Sequence, residues 1–66
     1  MQPHEERVVE EKKELDARII KLAAFISGSP VFHTLDTEDK RLLRAQRSAM
    51  LDYSDILDER IARFTA

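Results

Sequence analysis

The residues of this chain best suited to chemistry are cations, and they fall into two groups. His4, Arg7, Lys12, Lys13 and Arg18 occupy the first third of the sequence, and Lys40, Arg41, Arg44 and Arg47 lie within two turns of a helix predicted further on. Arg44 and Arg47 are three residues apart and share a helical face, so two guanidinium forks can meet one phosphate or one carboxylate. Antiparallel charge matching between copies is the plainer reading of that second group, because Asp52, Asp55, Asp58 and Glu59 crowd the later half of the same helix. His4 sits at a helix start, where free backbone N–H groups attract anions and an imidazole can stack on a base; a solvated first turn is the alternative. Lys12 falls inside an apolar stripe, where a lysine either packs its stem and holds its ammonium in water or serves as a ligand residue.

Nothing comparable supports catalysis. His4 and His33 lie on either side of Gly28 with no motif to bring them together, there is no Cys, and no Ser or Thr has a His and an acid at a recognised spacing. Asp55 and Asp58 are a carboxylate pair without the EF-hand pattern, and His-x-x-x-His is missing. We therefore expect no enzyme, no metal and no cofactor. Pairs such as Glu14 with Arg18 and Glu59 with Arg63 have the i,i+4 spacing of weak surface ion pairs.

The elements that must position these groups are helices. Lys40 to Phe64 contains no Gly and no Pro, and its apolar residues form two stripes: Leu43, Met50, Tyr53, Leu57, Ile61 and Phe64 in one, Leu42, Ala45, Ala49 and Ile56 in the other. Tyr53 is assigned to the core stripe, with its hydroxyl at the rim. A first helix is predicted over about His4 to Ile26, introduced by Pro3 and the acidic Glu5 and Glu6, with Val8, Leu15, Ile19, Leu22 and Ile26 as its main stripe and Val9, Ile20 and Ala23 beside it. Ser27-Gly28-Ser29-Pro30 ends that helix, with Gly28 expected in the left-handed conformation. Ser29 and Pro30 then start a short helical connector carrying Val31, Phe32 and Leu35, and Asp36 or Thr37 caps the second long helix. Phe32 is either the plug of the hairpin or a stacking surface. The expected architecture is one domain over residues 1–66, an all-α antiparallel two-helix hairpin with a short helical connector. Each apolar face is wider than one partner helix covers, which predicts a homo-oligomer.

Composition sets the outer bounds. The chain has 66 residues, 36% charged and 42% hydrophobic, with one Gly, two Pro and no Cys. So short a chain buries little surface alone, and without disulfides or thiolate-held zinc, oligomerisation is the remaining route to a larger core. A net charge of −2 argues against a binder of DNA or RNA polymers. No run approaches the ~20 apolar residues of a membrane span, and MQPHEERVVEE is too acidic for a signal peptide, so the expectation is a soluble intracellular protein with no membrane contact.

PHEERVVEEKKELDARIIKLAAFI, a short loop, and LLRAQRSAMLDYSDILDERIARF together resemble a group of very small phage proteins. Pro3, Arg7-Val8-Val9, Glu11-Lys12, Glu14-Leu15-Asp16, Phe25-Ile26, Leu42-Leu43, Gln46, Met50, Tyr53, Leu57 and Arg60-Ile61 carry the likeness to the phage anti-CBASS sponge family. That resemblance implies a helical protomer assembled as a hexamer, holding cyclic dinucleotides, and in some members cyclic trinucleotides, in pockets between protomers. It also implies a phage-encoded protein acting in the host bacterial cytoplasm to keep signals from immune effectors, with no bond made or broken. The family would carry an aromatic stacking residue early in the first helix, and this chain has His4 there. Resemblance and helix geometry together nominate His4 and Phe32 for stacking, Lys12 and Arg18 for phosphate, with Arg7 in the same cationic group. Arg60 is nominated for a second pocket, because it stands in an apolar stripe where Ile or Leu is expected. The rival reading is a coiled-coil adaptor or anti-defence inhibitor that binds a host protein through the second stripe.

Overall fold

Two long helices lie antiparallel, joined at one end by a five-residue helical turn. The computed structural model describes residues 1–65, the last by its backbone alone. α1 spans Pro3–Gly28, α2 Pro30–Thr34 and α3 Thr37–Ala62, with a 3-10 turn over Arg63–Thr65. The result is a rod measuring 46 × 15 × 14 Å.

Local chemistry sets the ends. The backbone N–H of Gln2 donates to the Glu5 carboxylate at 2.8 Å, which fixes the entry into α1, and Pro3 occupies the first turn. The helix runs two residues beyond the expected Ile26, and Gly28 does not take the left-handed conformation: no glycine here has positive φ. The stop comes from Pro30, which drives the residue before it into an extended conformation. Ser29 adopts φ −79°, ψ 129°, donates its N–H to the Phe25 carbonyl to close α1, and accepts from the Val31 N–H on its side chain to open α2. One residue therefore caps two helices. Asp36 caps α3, its carboxylate accepting from the Asp39 N–H at 2.8 Å.

The seam between the long helices follows a heptad spacing. Val8, Lys12, Leu15, Ile19, Leu22 and Ile26 face it from α1; Leu43, Met50, Ser54, Leu57 and Ile61 face it from α3, and Phe64 from the 3-10 turn that follows. Val8, Leu15, Ile19 and Leu57 form its buried core, against which Met50, Ile61 and Phe64 pack. Leu57 is fully buried at 0% exposure. Tyr53, expected in this core, is 41% exposed, and buried Ser54 takes its place. The physical reason is phase: Met50, Ser54 and Leu57 step by four and three along the seam, which leaves Tyr53 a quarter turn outside it.

Near the middle of the seam stands a polar layer. The Lys12 ammonium donates to Asp16 Oδ2 at 2.8 Å and to Ser54 Oγ at 2.8 Å, and lies 3.3 Å from Asp58 Oδ1; the Ser54 hydroxyl donates to Asp16 Oδ1 at 2.6 Å. Lys12 therefore bridges carboxylates on both helices instead of simply reaching water. The Glu14–Arg18 and Glu59–Arg63 pairs offered by spacing are not formed; among the described residues the ion pairs are Lys12–Asp16, Lys12–Asp58 and Glu38–Arg41.

Two substitutions test this seam by chemical denaturation. Leu57→Ala should cost about 2–5 kcal/mol, the range for truncating a buried leucine. Ser54→Ala should cost about 1–2 kcal/mol, since it leaves Lys12 and Asp16 each short of a hydrogen bond.

Candidate functional site

The seam divides the remaining side chains between two broad faces. In an antiparallel pair of right-handed helices, residues immediately preceding a seam position lie on one face of both helices, and residues immediately following lie on the other. Arg7, Glu11, Glu14, Arg18, Lys21 and Phe25 precede Val8, Lys12, Leu15, Ile19, Leu22 and Ile26; Leu42, Ala49, Tyr53, Ile56 and Arg60 precede Leu43, Met50, Ser54, Leu57 and Ile61. These eleven share a face. Asp16 and Asp58 both follow seam positions, and their common partner Lys12 places them together on the other face.

The first face combines an apolar strip with four cations. Leu42 is 50% exposed, Tyr53 41% and Ile56 54%, and Ala49 is exposed with them. Arg7, Arg18, Lys21 and Arg60 are exposed too. The Lys12 contacts to Ser54 and Asp58 fix the register, so Arg60 stands about level with Arg7, and Tyr53 lies between that level and that of Arg18. The arrangement offers a phenol ring for a planar ligand group, an alkyl floor, and a positive charge toward either end. Glu11 and Glu14 lie among the arginines and temper the field without neutralising it.

The residues nominated from sequence are dispersed relative to this face. Arg7, Arg18 and Arg60 are on it. His4 is exposed at the open end of the rod, its ring edge-on to Phe64 at 6.5 Å between centroids. Lys12 is directed to the opposite face by its three partners. Phe32 is at the closed end, 2% exposed, edge-on to Phe25 and His33, with the Arg44 guanidinium 5.3 Å and the Lys40 ammonium 5.8 Å from its centroid. In the single chain no face of that ring is open to a base. Tyr53 is the residue that the sequence reading placed in the core, and the polar seam position beside it was the signal that would have moved it out.

Hydrogen bonding shifts the titration of two members of the polar layer. The hydrogen bond from Lys12, then that from Ser54, holds the Asp16 carboxyl below its ordinary value of 3.8; the bond to Asp16, with further support from Asp58, holds the Lys12 ammonium above 10.5. The stability that Asp16 contributes is present above pH 3.8 and is lost as pH falls through its lowered pKa. That from Lys12 is present below pH 10.5 and is lost as pH climbs through its raised pKa. Melting temperature against pH should therefore fall on both flanks, and Asp16→Asn should lower the plateau and flatten the acid flank. An acid flank identical in the variant would remove Asp16 from this role.

No curated protein and no solved structure matches the chain. The sequence profile of one family does match, over residues 2–63, nearly the whole length and every residue of the face just described. The chain belongs to the Sequestin family, whose name points to sequestration, a binding function and not a catalytic one.

Proposed function

We propose that this protein is a non-catalytic sponge that binds cyclic di- or trinucleotide second messengers and holds them away from CBASS-type immune effectors during phage infection. The observation that carries the reading is the face on which exposed Tyr53 and Ile56 lie between Arg7 and Arg60 on one side and Arg18 on the other. A cyclic dinucleotide presents flat bases and two phosphates, which need a plate for each base and a cation for each phosphate. Membership of the Sequestin family supports sequestration as the purpose of such binding.

A rod only 15 × 14 Å in section has little interior in which to enclose a nucleotide. Slow release requires burial, so the site is completed by a second copy packed on the same face, and the proposed assembly is a homo-oligomer, a hexamer by family likeness. Arg7, Arg18 and Arg60 then take phosphates, and Tyr53 with His4 takes bases. Lys12 reaches a ligand only by exchanging a carboxylate for a phosphate, and Phe32 acts as backing for cations. The proposed location is the cytoplasm of the infected bacterium.

Isothermal titration against a panel of cyclic di- and trinucleotides, with the ligand recovered by heating and chromatographed, tests the proposal. Tight binding with intact ligand is expected, together with a melting-temperature rise that a linear mononucleotide does not give. Cyclic ADP-ribose, with a single base, reports whether two bases are required. Tyr53→Ala and Arg60→Gln should each weaken binding about tenfold or more at unchanged helicity. Absence of binding across the panel, with a host protein co-purifying instead, would replace this reading with that of a protein-contact inhibitor; cleaved ligand would make the chain an enzyme.

A further inference from the structure

The closed end of the hairpin carries a second cationic feature, separate from the Tyr53 face. Lys40 and Arg44, one turn apart on α3, both direct their charges at the ring of Phe32, the ammonium at 5.8 Å and the guanidinium at 5.3 Å from its centroid. Among the described residues neither is in an ion pair; the neighbouring Arg41 is held by the Glu38 carboxylate, with its Nε at 3.1 Å from Oε2. Asp36, at the start of the same helix, is engaged in capping through the Asp39 N–H. Two like charges at i,i+4 on one helix repel each other, and here both approach one buried ring. His33, exposed and edge-on to the same ring, adds a third nitrogen-bearing side chain.

We propose that Lys40 and Arg44, braced by Phe32 and flanked by His33, form a binding site for one phosphate group of a small ligand. An oxyanion between the two cations relieves their repulsion and accepts charge-assisted hydrogen bonds from both. The ring has already restricted the two long side chains, so less side-chain entropy is lost on binding than at a free lysine and arginine. Arg44 follows seam residue Leu43, which places the site on the face opposite Tyr53. It therefore stands independently of the sponge reading.

The test is a titration of ¹⁵N-labelled protein with inorganic phosphate at constant ionic strength, followed by amide shifts. Saturable shifts confined to Phe32, His33, Lys40, Arg44 and their neighbours are expected. Arg44→Gln should raise Kd about tenfold or more, Arg44→Lys should restore most of the affinity, and Lys13→Gln, at an exposed lysine on the same face but nearer the middle of the rod, should leave it unchanged. Phe32→Leu, which keeps an apolar plug and removes the ring, should weaken binding while helicity is retained. Shifts that rise linearly without saturation, or that spread equally to exposed Lys13, would overturn the proposal, as would an Arg44→Gln variant of folded helicity that binds like the parent.

Discussion

The hairpin depends on a lysine and a serine facing each other in a seam that is otherwise apolar. Leucine-like residues at heptad positions hold two antiparallel helices together in several registers, since a shift of one heptad presents the same pattern again. Lys12 removes that degeneracy. Its ammonium is satisfied by Asp16 on its own helix and by Ser54 and Asp58 across the seam, and any other register separates it from the cross-seam pair. The layer contributes modestly to stability in net terms, because two charges are partly desolvated to form it. Its larger effect is to fix which residues of α1 lie level with which residues of α3.

Everything on the Tyr53 face follows from that alignment. Arg7 and Arg18 belong to one helix, Tyr53 and Arg60 to the other, and they make a common surface only in the register set by Lys12. The closed end is fixed separately, by Ser29 closing α1 and opening α2, and by Phe32 turned beneath Arg44 and Lys40. The rod thus has a connector end organised around an aromatic ring and a middle organised around a hydrogen-bonded ion pair.

Helix identity, the hairpin and the connector were legible in the sequence because they rest on strong local signals: the 3.6-residue spacing, Pro3, Pro30 and Asp36. The membership of the seam was less so. Met50, Tyr53 and Leu57 satisfy helical spacing as well as Met50, Ser54 and Leu57 do, and a hydrophobic pattern prefers the tyrosine. Only the cross-helix bond from Lys12 to Ser54 decides between them, and that bond joins residues 42 positions apart. The same limit applies to the site residues. Arg7, Arg18 and Arg60 stood out as cations at particular turns, but their convergence on one face required the phase of both helices, and the covering of Phe32 by Lys40 and Arg44 required the fold of the connector. Gly28 carries the opposite lesson: a glycine suited to a left-handed cap stayed helical because the proline two residues later had already set the stop one position further on.

The division of labour between seam and faces has a consequence for how such a protein changes over generations. Residues that hold the helices together occupy heptad positions, and residues of the Tyr53 face sit one position earlier, so the two sets do not overlap. Replacing Tyr53 or Arg60 alters no contact within the buried core of Val8, Leu15, Ile19 and Leu57. A lineage can then exchange the chemistry of the Tyr53 face while the hairpin beneath it persists, and that surface diversifies without a matching loss of foldability.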